Sequence, residues 1–455
     1  MARQNEPRMI RPDHPFRQRI VLAFGILVFV GLLEWTYVNW LSPSFDYYGF
    51  EYYPPPRGYV VLAWLFSVLP SAWMPLSISR PSQLAYWVLY VTVFIPSMFI
   101  PLFIGLNAPS DIVWLMVTFF AGFALVGASY LCRLFTIRPP TLSSSAVWSC
   151  FAIVCIVCTF WVAVAFRHNI RIVSFSEIYD LRDAANDVGG GPLLNYSLMW
   201  LYGALNPFLL AWGLYYKRPW LFGAGVAGQF LVYSCFGTKA SLLSIVFIVG
   251  IYLLFRIGRF PFALKFAWGI VALLAGLCLS YLLSGDEPST SLVLLLFLVF
   301  FRSFGLAALV TGQYYYFFLH NPHTFYSHLR VVSGFIQYPY PYPLGTEIGY
   351  YFYNSLVDTT AHFWATDGIA ALGLPGVLIA SLVCALLFWV IDSLAQRHEP
   401  RLAALVIFYA AYSLANLSLF TTFLSGGLGL LMVLLYLMPA QKGLLFASSS
   451  DGAIA

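Results

Sequence analysis

The sequence predicts an all-α, polytopic integral membrane protein. Of 455 residues, 61% are hydrophobic and only 9% are charged. The mean hydropathy is +0.81. Apolar segments of ~18–25 residues recur along the whole length, each long enough to cross ~30 Å of hydrocarbon. This composition excludes a set of soluble globular domains. It also excludes a transmembrane β-barrel, whose strands would read as alternating segments of ~10 residues. One integral membrane domain over residues 1–455 is expected.

The chain opens with a basic segment, residues 1–19, carrying Arg3, Arg8, Arg11, Arg17 and Arg19. An apolar run of about 20 residues follows, the length of a membrane span. It has no small-residue cleavage site and ends in Glu34-Trp35 and Tyr37, so it reads as an uncleaved first span. Twelve spans are expected, at 20–41, 59–78, 83–105, 112–132, 146–166, 193–216, 220–236, 240–255, 266–284, 369–394, 402–420 and 422–438. With the N-terminus in the cytoplasm, 16 of the 23 Lys and Arg residues fall on the cytoplasmic side, as the positive-inside bias requires. Both termini are then cytoplasmic.

Three outward segments remain. The first, Ser42 to Gly58, is aromatic and rich in Pro. The second, 167–191, contains Ser174-Phe-Ser-Glu-Ile-Tyr-Asp-Leu-Arg-Asp183 and closes on three glycines. The third, 285–367, is the long polar interruption of the chain, between the ninth and tenth spans. Its first part, Leu292 to Phe301, is apolar but too short to cross, and Arg302 interrupts it. Helices lying in the outer interface or dipping into the bundle are expected there, because non-helical backbone at membrane depth is tolerated where it lines a cavity. All seven Cys fall in or at the ends of spans, where they read as apolar packing residues, and no disulfide is expected. No internal repeat and no low-complexity tract is visible.

Seven basic residues break the inside bias: Arg57, Arg167, Arg171, Arg182, Lys239, Arg302 and Arg330. Snorkelling, or salt bridges to Glu177, Asp183, Glu347 or Asp358, is one account of them. The other is an anion site at the outer leaflet built from Arg182, Lys239, Arg302 and Arg330. Lys239 sits in Phe236-Gly-Thr-Lys-Ala-Ser241 between two spans joined by almost no loop. A charge there is costly unless it pairs. Arg suits phosphate because its planar fork can donate two hydrogen bonds to one group.

The acids and imidazoles of the third segment supply the complementary chemistry. Transfer of a glycosyl group to a hydroxyl needs a base and stabilisation of the departing anion. Glu347, between glycines in Leu344-Gly-Thr-Glu-Ile-Gly349 and after the run Tyr338-Pro-Tyr-Pro-Tyr-Pro, is the favoured base. His323, His328, Asp358 and His362 are alternative bases or glycan contacts. Asp367 reads as a cap of the following helix. The Tyr and Trp residues fit sugar stacking and equally an interfacial belt. No P-loop, HExxH or GxSxG occurs, no adjacent acidic pair stands in the first outward segment, and no metal or other cofactor is expected.

Three segments resemble the bacterial O-antigen polymerases, the Wzy family of oligosaccharide repeat-unit polymerases. They are Ser174 to Arg182, Phe208 to Lys239, and Arg302 through Gly349 to His362-Phe-Trp-Ala-Thr-Asp-Gly-Ile-Ala-Ala-Leu-Gly373. The resemblance implies a fold related to integral-membrane, lipid-dependent glycosyltransferases of the GT-C type. It implies undecaprenyl-pyrophosphate-linked oligosaccharides as substrates at the periplasmic face of the inner membrane. The acceptor unit would attack the anomeric carbon of the growing chain, releasing its lipid pyrophosphate. Arg182 and Arg302 match outward arginines important in the family. Membrane lipids, a chain-length regulator and a flippase of the same pathway are the implied partners, and no nucleic acid is expected. The alternatives are an O-antigen ligase, for which His323 or His328 would matter most, and a flippase. A flippase calls for charges along a central cavity and for internal repeats, and the sequence shows neither.

Overall fold

The computed structural model describes residues 15–439 apart from 139, 141, 174–180, 182–184, 186–187, 189–190, 286–287, 331 and 360. Among the described residues there is helix and no strand. Nine of the described helices are long and apolar enough to cross a membrane, so the chain is a multi-pass membrane protein. In chain order the helices begin with α1 (Pro15–Tyr48), α2 (Arg57–Ala72), α3 (Ser82–Phe103), α4 (Pro109–Leu131) and α5 (Ser144–Ala165). α6 (191–215) and α7 (Pro219–Phe236) follow. Next come α8 (Lys239–Arg256), α9 (Phe262–Leu283) and α10 (Thr290–His320). The last group is α11 (Leu344–Tyr353), α12 (364–372), α13 (Leu374–Leu394), α14 (Pro400–Ser413) and α15 (Leu419–Leu437).

The bundle has two ends, defined by which helix termini meet. At the first, Arg19 donates to the Ser71 and Met74 carbonyls at 2.9 and 3.0 Å. There Trp389 reaches Arg133 O, Tyr436 reaches Arg138 O, and Tyr215 reaches Glu399. Asp392, 1% exposed, accepts from Ser82 N at 2.9 Å and Ser82 Oγ at 2.8 Å, fixing the start of α3 against the end of α13. At the second end, Tyr53 N meets Phe103 O, Arg171 N meets Ser234 O, and Trp200 meets Leu424 O. Arg and Lys crowd the first end. At the second end the described cations are Arg57, Arg167, Arg171, Lys239, Arg302 and Arg330.

Two elements of the second end position the site. The sequence suggests a break at Arg302, yet α10 runs through it unbroken. It does so by widening into a π-helical stretch, Phe297–Gly305. Ser303 Oγ donates to Leu298 O, five residues back, at 2.9 Å. Both halves of α10 stay at the second end. Phe301 packs on Phe45, Tyr48 and Phe50. Beyond it, Tyr315 donates to Asp111 O. Between them Phe304 meets Phe29 edge-on at 5.5 Å. α10 is thus one continuous helix of 31 residues, long and apolar enough to cross a membrane, where the sequence led to short helices in the interface or dipping into the bundle.

The other element is α12. The sequence suggests a span starting at residue 369, but the helix breaks at Gly373, whose φ of +67° is open to glycine at little cost. α12 and α13 form a hairpin about this residue. Gly368 and Gly376 touch so closely that a Cβ on Gly376 would lie 2.1 Å from Gly368 O. Trp364 Nε1 donates to Ser381 Oγ at 2.8 Å across the hairpin. α12 is buried along most of its length. Glycine also explains Leu344-Gly-Thr-Glu-Ile-Gly349. Gly345 and Gly349 lie one turn apart on α11, and the backbone of 357–359 passes over that face. Thr359 N donates to Gly345 O at 3.0 Å, and a Cβ on Gly349 would meet Val357 O at 1.9 Å.

Reporters inserted beside Gly345 and beside Gly258, in the turn between α8 and α9, should read opposite sides of the membrane. The same side for both would break the two-ended architecture.

Candidate functional site

Lys239 owes its place to a two-residue turn. α7 ends at Gly237, whose φ of +64° lets its N–H bond back to Tyr233 O at 2.8 Å. Thr238 is extended, and Lys239 opens α8. The Thr238 side chain does not cap the helix, so the N-terminus of α8 faces the space around Thr238, Lys239 and Ala240. The helix dipole disfavours a cation there by ~0.3–1 kcal/mol and favours an anion.

Arg302 faces the same space. The π stretch buries Phe300, Phe301 and Phe304 while leaving Arg302 exposed to a cavity of about 360 Å³. Tyr202, Thr238, Lys239, Ser303, Tyr409, Tyr412 and Asn416 line it with Arg302. Ser303 bonds the Tyr412 hydroxyl beside Arg302. The fold thus brings together Lys239 and Arg302 from two distant chain segments. Arg182 lies outside the described residues.

Arg330 belongs to a second, more open cavity of about 500 Å³. His328, Tyr338, Tyr342, Thr366, Ser418 and Thr421 are among its walls. The loop that forms it is tied to the top of the α12–α13 hairpin: Thr324 N donates to Ala370 O at 2.8 Å and Phe325 N to Ala371 O at 3.0 Å. Phe325 and Tyr326 hold positive φ of 48° and 64° beside these bonds, a backbone region costly for bulky residues. His328 Nδ1 lies 2.8 Å from Thr324 Oγ1, and its Nε2 lies 3.7 Å from Asp367 Oδ1.

Asp367 caps a helix, but not the one that follows it in the chain. It lies inside α12, 1% exposed, and its Oδ2 accepts from Leu419 N at 2.5 Å, the first residue of α15. A hydrogen bond to a carboxylate is worth about 1.5–3 kcal/mol. Sequence spacing finds a cap for the next helix only; this one crosses the fold.

Glu347 stands in the first turn of α11 and lines neither cavity. Its Oε2 is buried without a hydrogen-bond partner. It is close enough to the second cavity to act on its Tyr wall. Burial first, and then the Glu347 charge, push the Tyr338 phenol well above its ordinary value, and the same two causes push Tyr340 up to about 12. Asp358 lies against Gly345 on the opposite face of α11. His362 is fully buried, with its Nε2 2.5 Å from Thr311 Oγ1 of α10, which ties α12 to α10. His323 stacks on Phe318 at 5.8 Å, its edge against Gly373. Among the described residues no group of three or more His, Cys, Asp or Glu is placed to hold a metal ion.

The two cavities are neighbours. Leu417 lines the first and Ser418, the next residue, lines the second. The turn 414–418 is their common wall. The sequence gives no sign of this wall, nor of Tyr202, Tyr409, Tyr412 and Asn416, because hydropathy marks spans and not which span ends converge.

Burial lowers the pKa of His323, with a backbone hydrogen bond at Ile369 opposing it. The unfolded chain, titrating near ~6.5, therefore binds more protons on the acid side. Stability from this residue is present above that pH and is lost as pH falls below it. Thermal unfolding should show this acid slope, and His323→Gln should flatten it; equal slopes would refute the assignment.

No protein-family model matches the chain, and no curated protein or solved structure shows significant similarity to it.

Proposed function

We propose that the protein polymerises undecaprenyl-pyrophosphate-linked oligosaccharide repeat units into O-antigen polysaccharide. The observation that carries the reading is the convergence of Lys239, Arg302 and the uncapped α8 terminus on one cavity at a single end of the bundle. An anion attached to a membrane-borne tail suits that place. We read twelve crossings, with α10, α11 and α12 at the second end, and take that end as periplasmic because the first end carries the excess of Lys and Arg. The membrane is then the bacterial inner membrane, with both termini cytoplasmic, and the fold is related to the GT-C type glycosyltransferases.

In this reading the acceptor hydroxyl attacks the anomeric carbon of the lipid-linked chain. The bond from that carbon to the pyrophosphate oxygen breaks, and its electron pair leaves with the lipid pyrophosphate. Lys239 and Arg302 stabilise the departing anion, which is the largest share of such catalysis. Arg330, at the second cavity, and Arg182 are further phosphate contacts. Glu347 takes the hydroxyl proton, with His328 the nearest alternative by its place on a cavity wall. That place of His328 also favours the second reading, an O-antigen ligase transferring the glycan to lipid A-core. A flippase is less favoured, since Lys239, Arg302 and Arg330 line cavities at this one end instead of following a path through the bundle.

Deletion of the gene separates these readings on a lipopolysaccharide gel. A polymerase leaves core capped by one repeat unit and no ladder. Bare core with polymer retained on the lipid carrier points to the ligase, and an unchanged ladder removes both. Complementation with Arg302→Ala or Glu347→Gln, at normal protein levels, should fail to restore the ladder. A full ladder from Glu347→Gln would dismiss it as the base.

A further inference from the structure

We propose that the groove between α1 and α2 at the second end binds a zwitterionic phospholipid whose headgroup ends in a primary ammonium. The groove has a volume of about 640 Å³. Glu34 of α1 lines it with Arg57, Val60, Val61 and Trp64 of α2, under the Pro-rich segment that joins the two helices. It shares no wall residue with either cavity described above.

The groove faces lipid. Residues 57, 60, 61 and 64 form one stripe along α2. The helix buries Ala63 and Ser67 inward, whereas Val61 in the stripe is 65% exposed. An exposed apolar stripe on a helix of a membrane bundle meets acyl chains.

The depth of Glu34 is fixed from both sides. Glu34 stands on the same unbroken helix as Arg19, which binds carbonyls at the first end. The spacing from residue 19 to residue 34 puts roughly 22 Å of helix between them, most of the ~30 Å of hydrocarbon. Tyr37, nearly one turn further on, donates to Glu51 O at 2.7 Å, so the joining segment passes just above. Glu34 therefore lies roughly 5 Å below that segment, at the level of lipid headgroups.

A carboxylate at that depth needs a partner. Its Oε2 accepts from Trp64 Nε1 at 2.8 Å. Among the described residues nothing donates to the other oxygen, and Glu34 makes no ion pair. Arg57 is exposed and is likewise in no ion pair among the described residues. One lipid-facing groove thus holds an anion and a cation that do not pair with each other.

A headgroup carrying both a phosphate and an amine complements this arrangement. The planar fork of Arg57 takes the phosphate. A primary ammonium has three N–H donors, and the open Glu34 oxygen accepts one of them. A quaternary ammonium has no N–H to give. A headgroup with negative charge alone, a polyprenyl pyrophosphate included, meets Glu34 as a like charge. The acyl chains then lie along Val60 and Val61.

The test is native mass spectrometry of the delipidated full-length protein. It is titrated with phosphatidylethanolamine, phosphatidylcholine and phosphatidylglycerol of identical acyl chains. The wild type should bind phosphatidylethanolamine about tenfold more tightly than either of the others. Glu34→Gln, which keeps an acceptor for Trp64, should erase that preference. Val61→Trp, at the exposed mouth of the groove, should erase it too and decides the matter if Glu34→Gln folds poorly. Both variants are checked for an unchanged elution profile. Equal or tighter wild-type binding of the other two lipids overturns the assignment, and so does a preference that survives in either variant that folds.

Discussion

Two hydrogen bonds from one short helix hold the wall on which both cavities depend. Phe363 N, just before α12, donates to Leu414 O at 3.4 Å, and Asp367, one turn later, accepts from Leu419 N at 2.5 Å. They grip the turn 414–418 at its two ends. That turn offers Asn416 and Leu417 to one cavity and Ser418 to the other. α12 can do this because a buried helix satisfies its own backbone, the condition for any segment at membrane depth. Its position is set in turn by the glycine contact with α13 and by the hydrogen bond of His362 to Thr311. The site is thus a consequence of how one non-crossing helix is packed.

Charge is managed by the same packing. The Phe residues around Arg302 fill the space between α10 and the end of α1, which leaves the guanidinium one direction to face. Lys239 stands in the first turn of α8, on the wall of the same cavity. Positions like these are retained in membrane proteins where they serve a ligand. The acids and imidazoles stand on the other side of the wall, with Tyr338 close to Glu347. Opposite chemistries are therefore separated by one turn of backbone.

Much of the fold is legible in the sequence, and the reason is physical. Hydropathy over ~20 residues reports directly on crossing a bilayer, so the helices, and the absence of strand among the described residues, follow from it. The apolar start of α10 is legible in the sequence, where it reads as too short to cross. Its continuity is not, because a π widening leaves no mark in composition. The break at Gly373 and the hairpin it makes depend on contact between Gly368 and Gly376, which is tertiary. The pairing of Lys239 with Arg302 is legible only as two cations each in need of a reason. Their common cavity, its Tyr and Asn lining, and the reach of Asp367 to Leu419 arise from long-range packing that no local pattern encodes. Gly345 and Gly349 show the reverse case: a motif conspicuous in the sequence has a packing explanation, close passage of the 357–359 backbone.

The central claim is that Lys239 and Arg302 hold one lipid pyrophosphate. Equilibrium binding of undecaprenyl pyrophosphate to the purified protein in nanodiscs, by native mass spectrometry, tests it most directly. Two charge-assisted contacts of about 1.5–3 kcal/mol each imply a loss of about 100-fold or more in Lys239→Met/Arg302→Met, with competition by inorganic pyrophosphate in the wild type only. Undiminished binding by the double variant would contradict the account.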